Sequence, residues 1–306
     1  MDKITLKAMA KVNLGLDVVR RMENGYHEVR MIMQTVDLYD ELTFEKMTEE
    51  ISEKESSENG ISKKCITLNI DNAELLADES NLIYKTALLI MQKHPFPGVR
   101  ISLKKKIPMA AGMAGGSTDA AATFHGLNRL FSLGMDIEEM KQLAVKIGAD
   151  VPYCLVGGTM RSEGIGEILT PLPKVPQAYL VIAKPDISVS TKYVYENLHV
   201  ENIVHHPDIT SVEAAIRSGD LDGMCMHLEN ILENVTEKKY PVISQIKKKL
   251  KESGALAALM SGSGPTVFGI FKTETAARAA CGKVKESGLA KQLFVTTFSD
   301  GACTEI

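Results

Sequence analysis

The glycine-rich segment at residues 108–122 constrains the fold of this chain more than any other part of its sequence. Its three glycines are Gly112, Gly115 and Gly116. Glycine lets backbone amides approach a ligand closely and adopt positive φ, and the apolar residues that follow recur at helical spacing. The segment therefore predicts a turn that leads into a helix over about residues 118–131. Three residues are candidates for the helix cap: Ser117, Thr118 and Asp119.

A turn of this kind before a helix has the properties of a phosphate cradle. The first N–H groups of a helix lack intrahelical partners, and the helix dipole places positive potential there. The segment lacks the lysine that a P-loop places before its serine or threonine, and it lacks the Gly-x-Gly-x-x-Gly of dinucleotide-binding folds. If it binds phosphate, backbone amides and the hydroxyls of Ser117 and Thr118 must make most of the contacts. Alternatively, the small residues serve only to let a helix pack closely.

The composition excludes several classes of protein. The chain has 306 residues, 44% of them hydrophobic and 24% charged, as in a globular protein of one large or two ordinary domains. A net charge of −4 argues against binding to nucleic acid or to an anionic membrane surface. The five cysteines form no Cys-x-x-Cys pair, and there is no signal peptide or apolar run of membrane-spanning length. We therefore expect a cytoplasmic protein.

The run Lys104–Lys106 is locally basic and comes just before the glycine-rich turn. It could attract phosphates, but a solvated strand end is the simpler interpretation.

Helices and strands mix along the chain without a regular βαβ period, which favours the α+β class. A proline-rich link at about residues 170–177 separates two halves. We predict an N-terminal domain over residues 1–165 and a C-terminal domain over 166–306. Residues 47–64 are rich in Glu, Ser and Lys, and we interpret them as a mobile surface insertion that the chemistry does not require.

Two polar elements outside the glycine-rich segment are candidates for catalysis. On a predicted strand, Lys11 and Asn13 alternate with apolar residues, so one face would enter the core while the other presents an ammonium and an amide. The apolar set is Val12, Leu14, Leu16 and Val18. Asp150, between Gly-Ala and Val-Pro, could orient or deprotonate an attacking hydroxyl, and a lysine beside it would keep it ionised. A surface lysine and a turn aspartate are the alternatives that the residues alone leave open.

Six segments, found over nearly the whole chain outside residues 47–64, resemble motifs of the GHMP kinase superfamily. These segments are Ala10–Leu16, Asn24–Glu28, Met33–Asp40, Ala111–Ala121, Gly148–Pro152 and Ser261–Thr266. The second and third of them resemble one branch, the kinases that act on 4-diphosphocytidyl-2-C-methyl-D-erythritol. The resemblance implies a two-domain α+β fold with an active-site cleft between the domains.

The resemblance also implies an activity. Kinases of this branch use ATP to phosphorylate the C2 hydroxyl of the methylerythritol unit, in the methylerythritol phosphate route to isoprenoid precursors. Lys11 and Asp150 would form the catalytic pair, with Asp150 as base or as orienter of the hydroxyl. Mg²⁺ is expected with ATP, with Ser117 as a single protein ligand. The ATP phosphates would bind to Pro108, Met109, Ala110, Ala111, Gly112, Met113, Ala114, Gly115, Gly116, Ser117 and Thr118.

The small-molecule substrate would bind to residues from both domains. By resemblance these are Asn13, Tyr26, His27, Tyr195, Gly262 and Ser263. The ring of Tyr26 offers a stacking face to cytosine, and the imidazole of His27 can meet the edge of the base. A second aromatic residue would close the sandwich, and we favour Tyr195 over Tyr193.

The chain departs from the branch at a few positions. Met113 and Ala114 replace a Leu-Gly pair, Thr118 replaces a serine, and Asn24 replaces an aspartate. Each change retains the small size, the hydroxyl or the turn preference, so we expect the activity to survive.

Two alternative functions stay open. A kinase of the homoserine or mevalonate type would not need the rings of Tyr26 and His27. A non-catalytic nucleotide-binding regulator on the same scaffold would be expected to have lost Lys11 or Asp150, and both are present. The sequence is compatible with a monomer or a homodimer.

Overall fold

The computed structural model describes residues 1–47 and 65–306. Apart from Met47, the predicted insertion at 47–64 lies outside these residues, so its mobility stays a prediction. The described part contains two sheets flanked by helices, and the α+β class is confirmed.

The first sheet has a long antiparallel hairpin at its centre. Its strands are β1 (Lys3–Arg21), β2 (His27–Lys46), β3 (Ile66–Ile70), β4 (Val99–Lys104), β5 (Thr159–Glu163), β6 (Ile168–Pro171) and β11 (Cys303–Glu305). Their order is β11-β1-β2-β4-β3, with β5 paired to β2 and β6 to β5. Only β3 and β4 pair in parallel among these described strands.

The second sheet is smaller and wholly antiparallel. Its order is β10-β7-β9-β8, formed by β7 (Tyr179–Lys184), β8 (Ala257–Met260), β9 (Val267–Phe271) and β10 (Gln292–Thr297). The helices are α1 (Leu82–Lys93), α2 (Gly115–Phe131), α3 (Ile137–Ala144), α4 (Val151–Val156), α5 (Thr191–Glu196), α6 (Ile209–Ser218), α7 (Leu221–Met226), α8 (Glu233–Lys239), α9 (Val242–Glu252) and α10 (Glu274–Glu286). None of these helices has both the length and the apolar character needed to cross a membrane.

The chain returns to the first sheet after it has entered its second half. β6 pairs with β5, and β11, near the C-terminus, pairs with β1. Both strands lie beyond residue 165. The predicted boundary between 1–165 and 166–306 therefore does not coincide with membership of the two sheets, and it stays a prediction.

β1 is irregular, and this irregularity positions its polar residues. Its register with β2 shifts at three places, between Met9 and Lys11, Asn13 and Gly15, and Val18 and Arg20. Such shifts turn the strand and change the side to which its residues point. The predicted apolar face is accordingly split. Val12 and Leu14 pack in a cluster with Leu180 and Ile182 of the second sheet, whereas Leu16 and Val18 pack in the core of the first sheet.

Helix α2 begins three residues earlier than its apolar pattern predicts. Its first residue is Gly115, and its cap position is Ala114, which has a left-handed backbone and no side-chain cap hydrogen bond. Ser117, Thr118 and Asp119 therefore lie inside the helix, and the prediction that one of them caps it is wrong. Helix α3, in contrast, has a side-chain cap, because the Asp136 side chain accepts the Glu139 N–H.

Helix α2 packs closely on the hairpin through Gly126. A Cβ at this position would lie 2.4 Å from Cε2 of Phe44, whose side chain is fully buried. A methyl group there can fit only if the ring or the helix moves, so glycine sets the distance between α2 and the sheet.

We expect Gly126→Ala to destabilise the protein by about 2 kcal/mol, because overpacking of a dense core outweighs the helix propensity of alanine. The matched control is Gly282→Ala in α10, where nothing lies within 4 Å of the added Cβ. That change should be neutral or stabilise by up to about 1 kcal/mol. Urea denaturation midpoints measure both, and equal shifts in the two variants would contradict the packing argument.

Candidate active site

A cleft of about 1450 Å³ lies between the two domains. Residues of the first domain line one side, and residues of α5, the segment after it and the second glycine loop (residues 260–266) line the other. Both predicted catalytic residues, Lys11 and Asp150, line this one cleft. The predicted substrate residues line it as well: Asn13, Tyr26, His27, Tyr195, Gly262 and Ser263.

The phosphate loop, residues 108–116, owes its shape to alanines as much as to glycines. Positive φ occurs at Ala110 (46°), Gly112 (70°) and Ala114 (58°). Gly115 and Gly116 instead have helical backbone at the start of α2. Gly115 is needed for space, because a Cβ there would lie 2.9 Å from Lys105 Nζ. The expectation that these two glycines form the turn is corrected accordingly.

The backbone N–H groups around this loop are free. Within the described structure, none of the nine N–H groups of residues 109–117 donates a hydrogen bond to another residue. The last three open α2, where intrahelical partners do not exist. Eight of these nine residues line the cleft, all except Met113. A run of unpaired backbone donors that leads into a helix N-terminus is the arrangement expected of an anion-binding site.

Nine of the eleven residues predicted to bind phosphate line the cleft, and Met113 and Thr118 do not. The Thr118 hydroxyl is buried and donates to the Met9 carbonyl at 2.8 Å, which fastens α2 to β1. The Met113 side chain packs in the cluster between the sheets. The predicted phosphate contact of the Thr118 hydroxyl is therefore replaced by a structural role, whereas Ser117 lines the cleft.

Lys11 joins β1 to the phosphate loop. Its ammonium donates to Asn13 Oδ1 at 2.7 Å and to the Gly112 carbonyl at 3.1 Å. Ser261 Oγ of the second glycine loop donates to the same carbonyl at 2.8 Å. The residue is only 4% exposed, so Lys11 is a fixed buried charge and not a surface lysine.

Asp150 occupies the N-cap position of α4 but forms no side-chain cap hydrogen bond. No described residue forms an ion pair or hydrogen bond with its carboxylate. Asp150 and Lys11 nevertheless act on the same neighbour: burial and the charge of Asp150 raise the pKa of the Cys154 thiol, and the charge of Lys11 opposes the rise. The two charges thus lie on one side of the molecule without direct contact, and both are available to a ligand.

One end of the cleft contains the predicted aromatic residues. The rings of His27 and Tyr195 are 5.1 Å apart between centroids and tilted by 39°. Tyr26 is 59% exposed and lines the same cleft. Tyr193 lies elsewhere, with the Lys239 ammonium 3.3 Å from its ring centroid. The structure thus places Tyr195, the favoured residue, against His27, and it does not place Tyr193 in the cleft.

The imidazole of His27 is held neutral. Burial lowers its pKa below the ordinary value, and the charge of Arg21 lowers it further. A neutral imidazole has one donor and one acceptor nitrogen, which suits it to the edge of a nucleobase.

The second glycine loop completes the wall of the cleft. Gly262 has a φ of 56°, and a Cβ on it would lie 3.6 Å from Asn13 Oδ1. The Ser263 hydroxyl shares a 2.8 Å hydrogen bond with that of Thr191. Both glycine loops therefore meet at the cleft.

Sequence reasoning missed two parts of the site. Residues 74–76 and 80–82 line the cleft beside the phosphate loop, where a Cβ on Gly116 would lie 3.4 Å from Leu82 Cδ1. Lys105 and Asp119 also line it. The interpretation of the run 104–106 as a solvated strand end is wrong for Lys105, whose side chain is 4% exposed. The lysine run itself was the available signal.

Lys105 belongs to a charged cluster with Asp40 and Asp119. Burial alone would lower the pKa of Lys105, but the charges of Asp119 and Asp40 raise it above the ordinary value. Burial raises the pKa of Asp119 above its ordinary value. The charge of Lys105 opposes this rise, and the charge of Asp40 adds to it.

The arrangement can perform phosphoryl transfer. It combines unpaired backbone donors for phosphates, a buried cation beside them and a free carboxylate for a hydroxyl, and such a reaction needs mainly positioning and charge stabilisation. Among the described residues there is no cluster of three or more His, Cys, Asp or Glu side chains that could hold a metal.

Comparison with protein families agrees with this geometry. The model described as GHMP kinases N terminal domain matches residues 81–158, and the model described as GHMP kinases C terminal matches residues 204–289.

Individual relatives define the branch. The 4-diphosphocytidyl-2-C-methyl-D-erythritol kinase of Lachnoclostridium phytofermentans is 48% identical over 97% of this chain and 98% of its own length. That of Lachnospira eligens is 47% identical over 97% and 98%. A crystal structure of 4-(cytidine 5'-diphospho)-2C-methyl-D-erythritol kinase has a TM-score of 0.79 and 30% identity, covering 97% of this chain and 100% of that one. These matches confirm the resemblance, and the chain belongs to the 4-diphosphocytidyl-2-C-methyl-D-erythritol kinases, a branch of the GHMP kinase superfamily.

Proposed function

We propose that this enzyme transfers the γ-phosphoryl group of ATP to the C2 hydroxyl of 4-diphosphocytidyl-2-C-methyl-D-erythritol, in the methylerythritol phosphate route to isoprenoid precursors. The observation that carries the proposal is the run of nine free backbone N–H groups at residues 109–117, eight of which belong to residues that line one cleft with Lys11 and Asp150. In this arrangement the loop binds the triphosphate and leaves the γ-phosphorus within reach of an alcohol.

The transfer step assigns a role to each charged residue. The oxygen of the C2 hydroxyl bonds to the γ-phosphorus, and Asp150 accepts the hydroxyl proton or orients the hydroxyl. The bond between that phosphorus and the oxygen that bridges to the β-phosphate breaks, and ADP leaves with the electron pair. Lys11 stabilises the developing negative charge, since an ammonium has three donors and only two are used within the protein.

We propose that Mg²⁺ accompanies ATP and that Ser117 contributes one ligand. The Ser117 side chain lines the cleft, and no described residue forms a hydrogen bond with its hydroxyl. Mg²⁺ in kinases takes most of its ligands from phosphates and water, so one or two protein oxygens suffice. The ion would supply neutralisation of the triphosphate charge.

The rings at the other end of the cleft account for the choice of substrate. Tyr26 and Tyr195 offer faces for stacking with cytosine, and His27 offers a neutral imidazole to the edge of the base. Homoserine and mevalonate have no base to use them. We also expect the enzyme to work in the cytoplasm, because its five cysteines are free thiols, which suits a reducing compartment.

The substrate assignment predicts turnover with one acceptor alone. ADP release is measured with ATP and, in parallel, the cytidine substrate, mevalonate or homoserine. We expect turnover with the first and none above background with the other two. Equal turnover with mevalonate or homoserine would contradict the assignment, and ADP release in the absence of any acceptor is the control.

Asp150→Asn should reduce turnover by about 100-fold or more, because a general base typically contributes that much. Its ATP affinity should stay nearly unchanged, since the loop carries the phosphates. Asp136→Asn is the matched control: Asp136 also stands at a helix N-cap, it does not line the cleft, and asparagine caps as well as aspartate. Near-normal turnover of Asp150→Asn in a steady-state assay would show that the assignment of the base is wrong.

Tyr195→Ala should raise the KM for the cytidine substrate by roughly 10- to 100-fold, because loss of one aromatic stack on a base costs about 1–3 kcal/mol. The KM for ATP should not change. Tyr193→Ala provides the comparison, since that ring lies two residues away but outside the cleft. A larger effect of Tyr193→Ala on the KM for the cytidine substrate would reverse the choice between the two tyrosines.

A further inference from the structure

Lys105 is the centre of a buried charge cluster that the proposed mechanism does not use. Its ammonium donates to Asp119 Oδ2 at 2.9 Å and to the carboxylate of Asp40. The side chains of Lys105, Asp40 and Asp119 are 4%, 0% and 5% exposed. Asp119 Oδ1 has no hydrogen-bond partner in the described structure. Three ionisable groups are thus withdrawn from water at one place.

The cluster holds both ends of the phosphate loop. Asp40 Oδ1 accepts the N–H of Lys106 at 2.6 Å and that of Ile107 at 2.8 Å, directly before the loop begins. Asp119 belongs to α2, which begins where the loop ends. Between them the Lys105 ammonium lies against Gly115, at 2.9 Å from the position of a Cβ there.

Stability alone does not account for charged residues in this place. A buried ion pair loses the hydration of both partners, and apolar residues of similar volume often stabilise a protein as well or better. Hydrogen bonds fix the angles between groups as well as the distances, and apolar contacts do not impose such angles. Lys105 and Asp119 both line the cleft, so their hydrogen bonds constrain the orientation of the phosphate loop.

We propose that Lys105 is a positioning residue for nucleotide binding. Held between Asp40 and Asp119, its ammonium fixes the two ends of the phosphate loop so that the free N–H groups of residues 109–117 converge on the triphosphate. This role rests on the proposed function. Because Lys105 acts through the loop, its loss weakens the binding of ATP most, that of ADP less, and that of adenosine not at all. The binding of the cytidine substrate is also unaffected.

The test compares two lysines that each lie between two carboxylates. Lys247 lies between Glu233 at 2.6 Å and Glu237 at 2.7 Å, is partly exposed, and does not line the cleft. Lys105→Met and Lys247→Met should both lower the thermal midpoint, and Lys105→Met more, since it leaves the fully buried carboxylates unpaired. Isothermal titration with ATP, ADP and adenosine then separates them.

Lys105→Met should raise the Kd of ATP by about tenfold or more, the loss expected when charge-assisted hydrogen bonds are misplaced. The Kd of ADP should rise less, and that of adenosine should stay within about twofold. Lys247→Met should leave the Kd of ATP within about twofold of the wild type. The KM of the cytidine substrate should be unchanged in both variants.

A charge-balanced variant covers the case in which Lys105→Met does not fold. Lys105→Met with Asp119→Leu removes the ion pair and leaves Asp40 on its two N–H donors, so it should fold and still bind ATP weakly. Wild-type ATP affinity in the folded double variant, or an equal loss in Lys247→Met, would overturn the role of Lys105. If the wild-type protein binds ATP but releases no ADP with the cytidine substrate, the proposed reaction is overturned. The comparison of Lys105→Met with Lys247→Met stays valid in that case, because it measures the binding of ATP alone.

Discussion

The structure depends on backbone contact between its two glycine loops at Gly112. The Gly112 carbonyl accepts hydrogen bonds from Lys11 in the first domain and from Ser261 in the second. A Cβ on Gly112 would lie 2.1 Å from the Ser261 carbonyl oxygen, so no side chain can separate the loops. Because the two domains touch here through main chain, the cleft has one wall from each. Lys11 and the loop before α2 therefore border the same space as Tyr195 and Ser263.

The irregular strand β1 carries Lys11, whose ammonium donates to the Gly112 carbonyl in this contact. A regular strand would keep its apolar residues on one face, but the register shifts direct Val12 and Leu14 to the cluster between the sheets and place Lys11 and Asn13 at the cleft. A buried ammonium is costly unless it is paired. The Lys11 ammonium reduces that cost by donating to Asn13 and Gly112, and it keeps one donor for a ligand.

Local patterns predicted most elements, because alternation, capping and glycine-rich turns depend on neighbours in sequence. The residues of the site were predicted by resemblance to known kinase motifs, because a surface lysine and a turn aspartate fitted the local pattern at Lys11 and Asp150 as well. What the sequence could not show were partners far apart in it. Lys105 meets Asp40 from 65 residues away, and β11 pairs with β1 across almost the whole chain. No local pattern reports such pairings, so Lys105 resembled a solvated lysine until the fold closed around it.

The strained alanines of the phosphate loop show what holds its shape. Ala110 and Ala114 adopt left-handed backbone, which costs of order 1–3 kcal/mol per residue and persists only where the surroundings impose it. The surroundings here are the bonds at both ends and at Gly112, so the loop conformation is set by its attachments and not by the preferences of its own residues. A loop fixed in this way is formed before the nucleotide arrives. In the proposed reaction, binding of the triphosphate would lose little entropy in ordering the loop, because the unpaired N–H groups are already in place.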